Sequence, residues 1–246
     1  MPKCLVIQHV APESPFAIAD ALRDAGVEIE LCRVFAGDQL PGLIEGFDGL
    51  VVMGGPMSAA SDDGFPTRQA EIDLIGCAVQ ADIPTLGICL GAQLLAVAGN
   101  AAVYPGARGP EVGWGPVRLD ASCRDDPLFC GLPDELTVLH WHGDTYDLPP
   151  GSQHLISNAT YAQQAFRMAD VAWGIQFHLE VDEIAVAGFV AEFAQEAAAA
   201  PGGAATIRAA TPSAVAQLAQ VRTTVCERFA ELVSARVSKG ALAELN

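Results

Sequence analysis

The pentapeptide Gly87-Ile88-Cys89-Leu90-Gly91 sets a thiol between two glycines, where an apolar run meets a helical pattern. G-x-C-x-G is the spacing of a nucleophile elbow with sulfur in place of oxygen. A sharp strand-to-helix turn strains the backbone at the central residue, and flanking glycines leave room for the bend. Cys89 would then stand at the N-terminus of the following helix, where the dipole and free N–H groups favour thiolate over thiol. The N–H of Leu90 would face the oxyanion formed when sulfur attacks a carbonyl. Taken alone, these five residues also suit a buried cysteine in a glycine-rich turn.

Two other segments narrow the choice. Gly174-Ile175-Gln176-Phe177-His178-Leu179-Glu180 ends an apolar strand with His-x-Glu. Period-two alternation places His178 and Glu180 on one side of an extended segment. A carboxylate beside an imidazole fixes its tautomer and stabilises the imidazolium formed on proton transfer, which a thiol–imidazole pair requires. Gly54-Gly55-Pro56-Met57-Ser58 follows another apolar strand. A glycine pair at that edge can present backbone N–H groups to an anion, which makes Gly55 a candidate second oxyanion donor. A strand-end histidine with a solvated glutamate and a plain tight turn are the alternatives for these two segments taken singly.

These residues need a frame. Lys3–Gln8, Val27–Val34, Gly49–Met53 and Ile83–Ile88 are strand-length apolar runs, separated by helical patterns at Phe16–Ala25 and Thr67–Gln80 and followed by one at Ala92–Ala98. Strand and helix alternating in this rhythm predict a parallel sheet covered on both sides. Beyond Gly109 the rhythm changes to Val112–Leu119, Leu136–His140, Leu155–Asn158, Ala162–Met168 and Val171–Phe177, strands with short links that predict antiparallel hairpins extending the sheet. A helix is expected over Asp182–Ala199, then a small-residue linker over Ala197–Ala210 containing Pro201-Gly202-Gly203. Thr211-Pro212 reads as an N-cap with proline at the first helical position. In the last helix Val215, Leu218, Val221, Val225, Phe229 and Leu232 recur on one face, for packing back on the domain or for a homodimer. The expected division is therefore a domain over 1–199 and a linker with a C-terminal amphipathic helix over 200–246.

Composition limits the function. Of 246 residues, 51% are hydrophobic, enough for a large core, and the net charge is −17. Such acidity argues against binding phosphate backbones, so nucleic acid is not an expected partner. The N-terminal residues show no secretory signal pattern and no apolar run has membrane-spanning length, so a cytoplasmic protein is expected. The seven cysteines form no C-x-x-C pair or zinc-like spacing. Cys4, Cys32 and Cys77 lie in apolar runs as expected core residues, while Cys123, Cys130 and Cys226 suggest no chemistry.

Together and in this order, the three segments resemble the class I (triad) glutamine amidotransferase family, over roughly Val6 to Glu180. The resemblance is strongest at Gly87-Ile88-Cys89-Leu90-Gly91-Ala92-Gln93 and extends to stand-alone members similar to the amidotransferase domain of GMP synthase. It implies a flavodoxin-like open, mostly parallel α/β sheet with helices on both faces and the site at the strands' C-terminal edge. It also implies that Cys89 forms a γ-glutamyl thioester, that His178 protonates the leaving ammonia and then activates water, and that no metal or organic cofactor is required. Gln93 matches the glutamine that holds the substrate's amino-acid end, and Trp141-His142-Gly143-Asp144 matches a loop contacting the same end, largely through backbone. Trp141 and His142 could equally form a packed aromatic cluster. Glu111-Val112-Gly113-Trp114 falls where relatives carry a Glu-x-Gly segment near the pocket. Leu179 replaces the usual proline between histidine and glutamate, and Met57 replaces a small residue, reshaping the pocket mouth. After Glu180 no phosphate loop or synthetase domain follows. Three readings stay open: a free-standing hydrolase of glutamine or a small γ-glutamyl compound, a glutaminase subunit serving a separate synthase, and a non-catalytic or redox-responsive binding protein.

Overall fold

The computed structural model describes the backbone of residues 1–243 and the side chains through Arg236. Its centre is a nine-stranded sheet. In chain order the strands are β1 (Lys3–Gln8), β2 (Glu28–Arg33), β3 (Gly49–Val52), β4 (Thr85–Ile88), β5 (Val103–Pro105), β6 (Glu111–Leu119), β7 (Glu135–His142), β8 (Asp144–Tyr146), β9 (Gln153–Ser157), β10 (Ala165–Met168) and β11 (Ala172–Ile175). The sheet runs β2-β1-β3-β4-β11-β10-β9-β6-β7. Its first five strands are parallel, and the remaining pairings are antiparallel. This is the flavodoxin-like α/β fold, with the antiparallel extension that the short links predict.

The helices are α1 (Phe16–Asp24), α2 (Arg68–Gln80), α3 (Leu90–Ala98), α4 (Glu183–Glu192), α5 (Ala194–Ala199) and α6 (Gly203–Ala243). Strand alternation decides which helix covers which face. In β1, Cys4 and Val6 pack with Ile18 and Leu22 of α1 and with Leu218, Val225 and Phe229 of α6. Leu5 and Ile7 point the other way, toward Ile72 and Ile75 of α2 and Leu94 and Leu95 of α3. Because both faces are covered, β3 and β4 are buried at every position, as their unbroken apolar runs require.

Four sequence expectations need correction. Residues 203–210, expected as linker, are the first turns of α6, and Pro212 lies inside that helix. Gly202 and Gly203 adopt φ of +75° and +67°, so the chain turns there and the helix starts nine residues before the expected proline position. Thr211 is no N-cap: its hydroxyl donates to the Ile207 carbonyl at 2.8 Å and accepts from Trp114 Nε1 at 3.0 Å. The helix expected over Asp182–Ala199 breaks at Phe193, which ends α4 and starts α5. Asp182 caps α4 by accepting from the Ala185 N–H at 2.7 Å. Cys77 is exposed on the outer side of α2, although Cys4 and Cys32 are buried. The paired strands β5 and β8 span three residues each, too few to show a period.

Candidate active site

Four adjacent parallel strands, β1, β3, β4 and β11, deliver the chain to one edge of the sheet, where α/β folds carry their ligand sites. At the end of β4 the chain turns directly into α3. Cys89 occupies that turn at φ +52° and ψ −105°, a conformation that ordinary residues avoid. The Cys89 N–H still donates to the Ile175 carbonyl at 2.8 Å, and its carbonyl accepts the first helical bond from Gln93 at 3.1 Å. The flanking glycines are sterically required. A Cβ on Gly91 would lie 2.0 Å from the Val52 carbonyl oxygen, and one on Gly87 would lie 2.4 Å from the Gly91 oxygen.

His178 follows β11 and is pinned by two backbone hydrogen bonds with Leu139 of β7, at 2.8 and 3.3 Å. Its Nδ1 lies 2.7 Å from Glu180 Oε1, as the His-x-Glu alternation predicts, and both residues are buried. The Phe189 ring meets the imidazole edge-on at a centroid distance of 4.9 Å. Burial alone would push His178 down, but the Glu180 charge, helped by Cys89, holds the imidazole well above its ordinary pKa.

The cysteine departs from expectation. Burial pushes the Cys89 thiol up from its ordinary value, although His178 and the Leu90 N–H pull it back. Burial of the residue, 5% exposed, thus opposes the pull of the helix N-terminus on the thiol. The thiol donates to the Trp141 carbonyl at 3.5 Å and takes a contact from Gln176 Nε2 at 3.7 Å, leaving His178 Nε2 buried without a hydrogen-bond partner. Catalytic hydrogen bonds are commonly loose until substrate arrives.

A cavity of about 410 Å³ opens over the sulfur. Gly55, Met57, Gln93, Trp141, His142, Gly143 and Asp144 line it beside Cys89, so the expected substrate contacts are brought together. Gln93 Nε2 donates to the Asp144 carbonyl at 3.3 Å and to Gln176 Oε1 at 3.2 Å, and Ser58 Oγ donates to Asp144 Oδ2 at 2.7 Å. Trp141 forms the packed aromatic cluster and also lines the cavity. Its ring packs on Phe189 and Phe193, its carbonyl receives the thiol, and its Nε1 donates to Glu196 at 2.6 Å. Leu90 contributes backbone alone, its side chain being in the core.

The Glu111–Trp114 segment divides. Val112 lines the cavity, whereas Gly113 packs over Ile207 and Trp114 bonds Thr211. Glu111, His140 and His142 bring three ligand atoms within 4.8 Å of one another, close enough to consider a cation. However, Glu111 Oε2 already faces Asn158 Nδ2 at 3.1 Å, Gln164 Nε2 at 2.9 Å and His142 Nε2 at 3.2 Å. The Asn158 and Gln164 amides donate to that oxygen, and Asn158 also reaches Glu111 Oε1 at 2.9 Å. Although burial opposes it, His142, His140 and Asn158 hold Glu111 down to about 2. Glu111 thus ties the strand beside the cavity to Asn158 and Gln164, while both His140 nitrogens and His142 Nε2 are buried without a hydrogen-bond partner.

Sequence reading missed the loop after β1. His9 is buried with Nδ1 3.0 Å from the Gly54 carbonyl and Nε2 2.7 Å from Glu71 Oε2, and Thr67 Oγ1 donates to the other Glu71 oxygen at 2.6 Å. Glu13 is buried against the same glycine and lines the cavity, its Oε2 lying 3.9 Å from His178 Nε2. Burial pushes Glu13 up to about 7, with the His178 charge opposing and Glu180 reinforcing the shift. The loop has no periodicity, but its position after an apolar strand at this edge was a usable signal.

With this geometry in place, comparisons with known proteins are informative. Residues 15–185 match the family model of class I glutamine amidotransferases. The glutamine amidotransferase-like protein YfeJ of Salmonella typhimurium is 34% identical over 199 residues, covering 80% of this chain and 83% of that protein. A GMP synthase (glutamine-hydrolyzing) of Porphyromonas gingivalis is 30% identical over 72% of this chain but only 33% of its own length, so the chain spans about a third of that relative. A crystal structure of a glutamine amidotransferase from Thermotoga maritima superposes with a TM-score of 0.84 at 29% identity, covering 94% of this chain and 98% of that one. One from Methylobacillus flagellatus gives 0.77 at 32%, covering 98% and 95%. The chain belongs to the class I glutamine amidotransferase family. Membership implies hydrolysis of a glutamine amide with transfer of ammonia. Among the described residues, no helix is long and apolar enough to cross a membrane.

Proposed function

We propose that this chain hydrolyses glutamine or a small γ-glutamyl amide through a thioester on Cys89, and does so without a synthase partner. Cys89 passes its proton to His178 and attacks the side-chain carbonyl, and the imidazolium so formed, stabilised by Glu180, delivers that proton to the departing nitrogen as the C–N bond breaks. Water then attacks the thioester, His178 takes its proton, and the thiolate leaves. The N–H groups of Gly55 and Leu90 meet the negative oxygen in both tetrahedral species. Glu13, Asp144 and Glu196 line the cavity, and its lining residues include no lysine or arginine. Carboxylates are therefore available to the substrate's ammonium group, leaving its α-carboxylate to backbone donors of the Gly143–Asp144 turn.

The observation that carries partner independence is the bond from His9 to the Gly54 carbonyl. In a planar trans peptide the carbonyl and the next N–H point in opposite directions. Holding the Gly54 oxygen toward His9 thus turns the Gly55 N–H away from it, to the cavity that the half-buried Gly55 lines beside Cys89. The buried contact between His9 and Glu71 keeps this peptide set before any partner arrives. Purified protein should therefore release ammonia from glutamine or γ-glutamyl amides at a rate unchanged by clarified lysate of its source. Turnover near background that rises strongly with lysate would establish the synthase-subunit reading instead.

A second expected result concerns the support itself. His9→Ala should lower kcat by roughly 10²-fold, the scale of one lost oxyanion donor, with KM little changed. Steady-state kinetics on the folded variant check this, and an effect on KM alone would contradict it.

A further inference from the structure

Glu13 takes no part in the bond making and breaking described so far, yet its placement is unusual. It is 4% exposed, it lines the cavity beside Cys89, and its Oε2 is a buried oxygen without a hydrogen-bond partner. Native proteins rarely leave a buried carboxylate oxygen unsatisfied unless something else occupies the space in use. Among the other buried polar atoms in the same condition, His178 Nε2 lies 3.9 Å away. The gap is too long for a direct hydrogen bond, but one small polar molecule can bridge two groups so separated. Gly54 is built around this arrangement, since a Cβ there would lie 1.8 Å from Glu13 Oε2 and 3.2 Å from His178 Cε1.

We infer that Glu13 and His178 Nε2 together form a seat for the small nitrogen or oxygen species of the reaction, first the departing ammonia or amine and then the attacking water. This rests on the proposed thioester reaction. In the first half, the C–N bond breaks as the imidazolium proton passes to nitrogen, and the neutral amine donates an N–H to Glu13. Water then replaces it, one hydrogen toward Glu13 and the other toward Nε2. Its oxygen bonds to the thioester carbon, the second hydrogen passes to His178, and the C–S bond breaks to return the thiolate. Glu13 ends with the protons it began with. Its part is to aim water, so it weighs more on deacylation than on acylation.

The test separates the two half-reactions in the full-length protein. With glutamine as substrate, Glu13→Gln should show a burst approaching one ammonia per active site, followed by a steady rate lowered roughly ten-fold or more. Intact mass should show the γ-glutamyl adduct accumulating on the variant. Hydroxylamine, which needs less aiming than water, should restore most of the lost turnover. Glu13→Asp, which keeps the charge but withdraws it from Nε2, should show the same burst less strongly. Equal loss in burst and steady rates, or wild-type rates for both variants, would overturn the inference. If Glu13→Gln does not fold, Glu13→Asp alone decides it on the same readouts. Wild-type protein that neither hydrolyses γ-glutamyl substrates nor forms the adduct would instead overturn the proposed function, which keeps the two failures distinct.

Discussion

Replacing Cys89 by alanine is expected to lower amide hydrolysis by roughly 10⁴-fold or more while leaving the fold intact. The sulfur makes few structural contacts that alanine would lose, since its polar neighbours are the Trp141 carbonyl at 3.5 Å and Gln176 Nε2 at 3.7 Å. Both have other surroundings, Gln176 being also bonded by Gln93. The strained turn is set by backbone, through the Ile175 and Gln93 bonds and the two glycines that admit no Cβ. Ammonia release and a thermal melt on the same preparation check the two halves of the prediction. A variant that keeps substantial turnover would remove the thioester from the mechanism.

The second large effect lies at the imidazole. His178→Ala should lose on the order of 10⁴-fold in kcat, because the imidazole is the group assigned to shuttle the proton between sulfur and leaving nitrogen. Glu180→Gln should lose on the order of 10²-fold and change the pH profile. The Glu180 charge is what raises His178 above its ordinary pKa against burial. The imidazolium that protonates the leaving amine therefore persists to higher pH in the wild type. Without that charge the His178 pKa falls, so the alkaline limb of kcat should move to lower pH in Glu180→Gln. An unmoved alkaline limb, or wild-type turnover in His178→Ala, would contradict the assigned roles.

The sequence revealed the site unevenly, for physical reasons. Cys89, His178 and Glu180 each sit within a few residues of a strand end, where a short motif carries its geometry. Period-two alternation alone anticipated the 2.7 Å contact between His178 and Glu180. The sheet was legible for a similar reason, since β1, β3 and β4 are unbroken apolar runs buried on both faces. His9 and Glu13 were not legible, because their partners Gly54, Glu71 and His178 come from other elements and the loop itself has no period. The missed break at Phe193 matters for function, since it turns Phe193 and Glu196 into the cavity wall. Pro212 misled because proline is favoured at a helix start, whereas here it lies inside a continuous helix. The raised Cys89 pKa depends on how deeply the loops bury the sulfur, which spacing does not encode.

The proposed reaction stands on one covalent bond, and trapping it is the most direct measurement. Incubating the purified protein with a diazo-ketone analogue of glutamine and mapping the adduct by mass spectrometry locates the reactive sulfur among seven cysteines. Exposure alone would direct the label to Cys77, the exposed thiol among the cysteines. The account predicts one adduct per chain, on the buried Cys89, blocked by excess glutamine or γ-glutamyl amide and absent from Cys89→Ala. Label on Cys77 or Cys130 with Cys89 unmodified would contradict it.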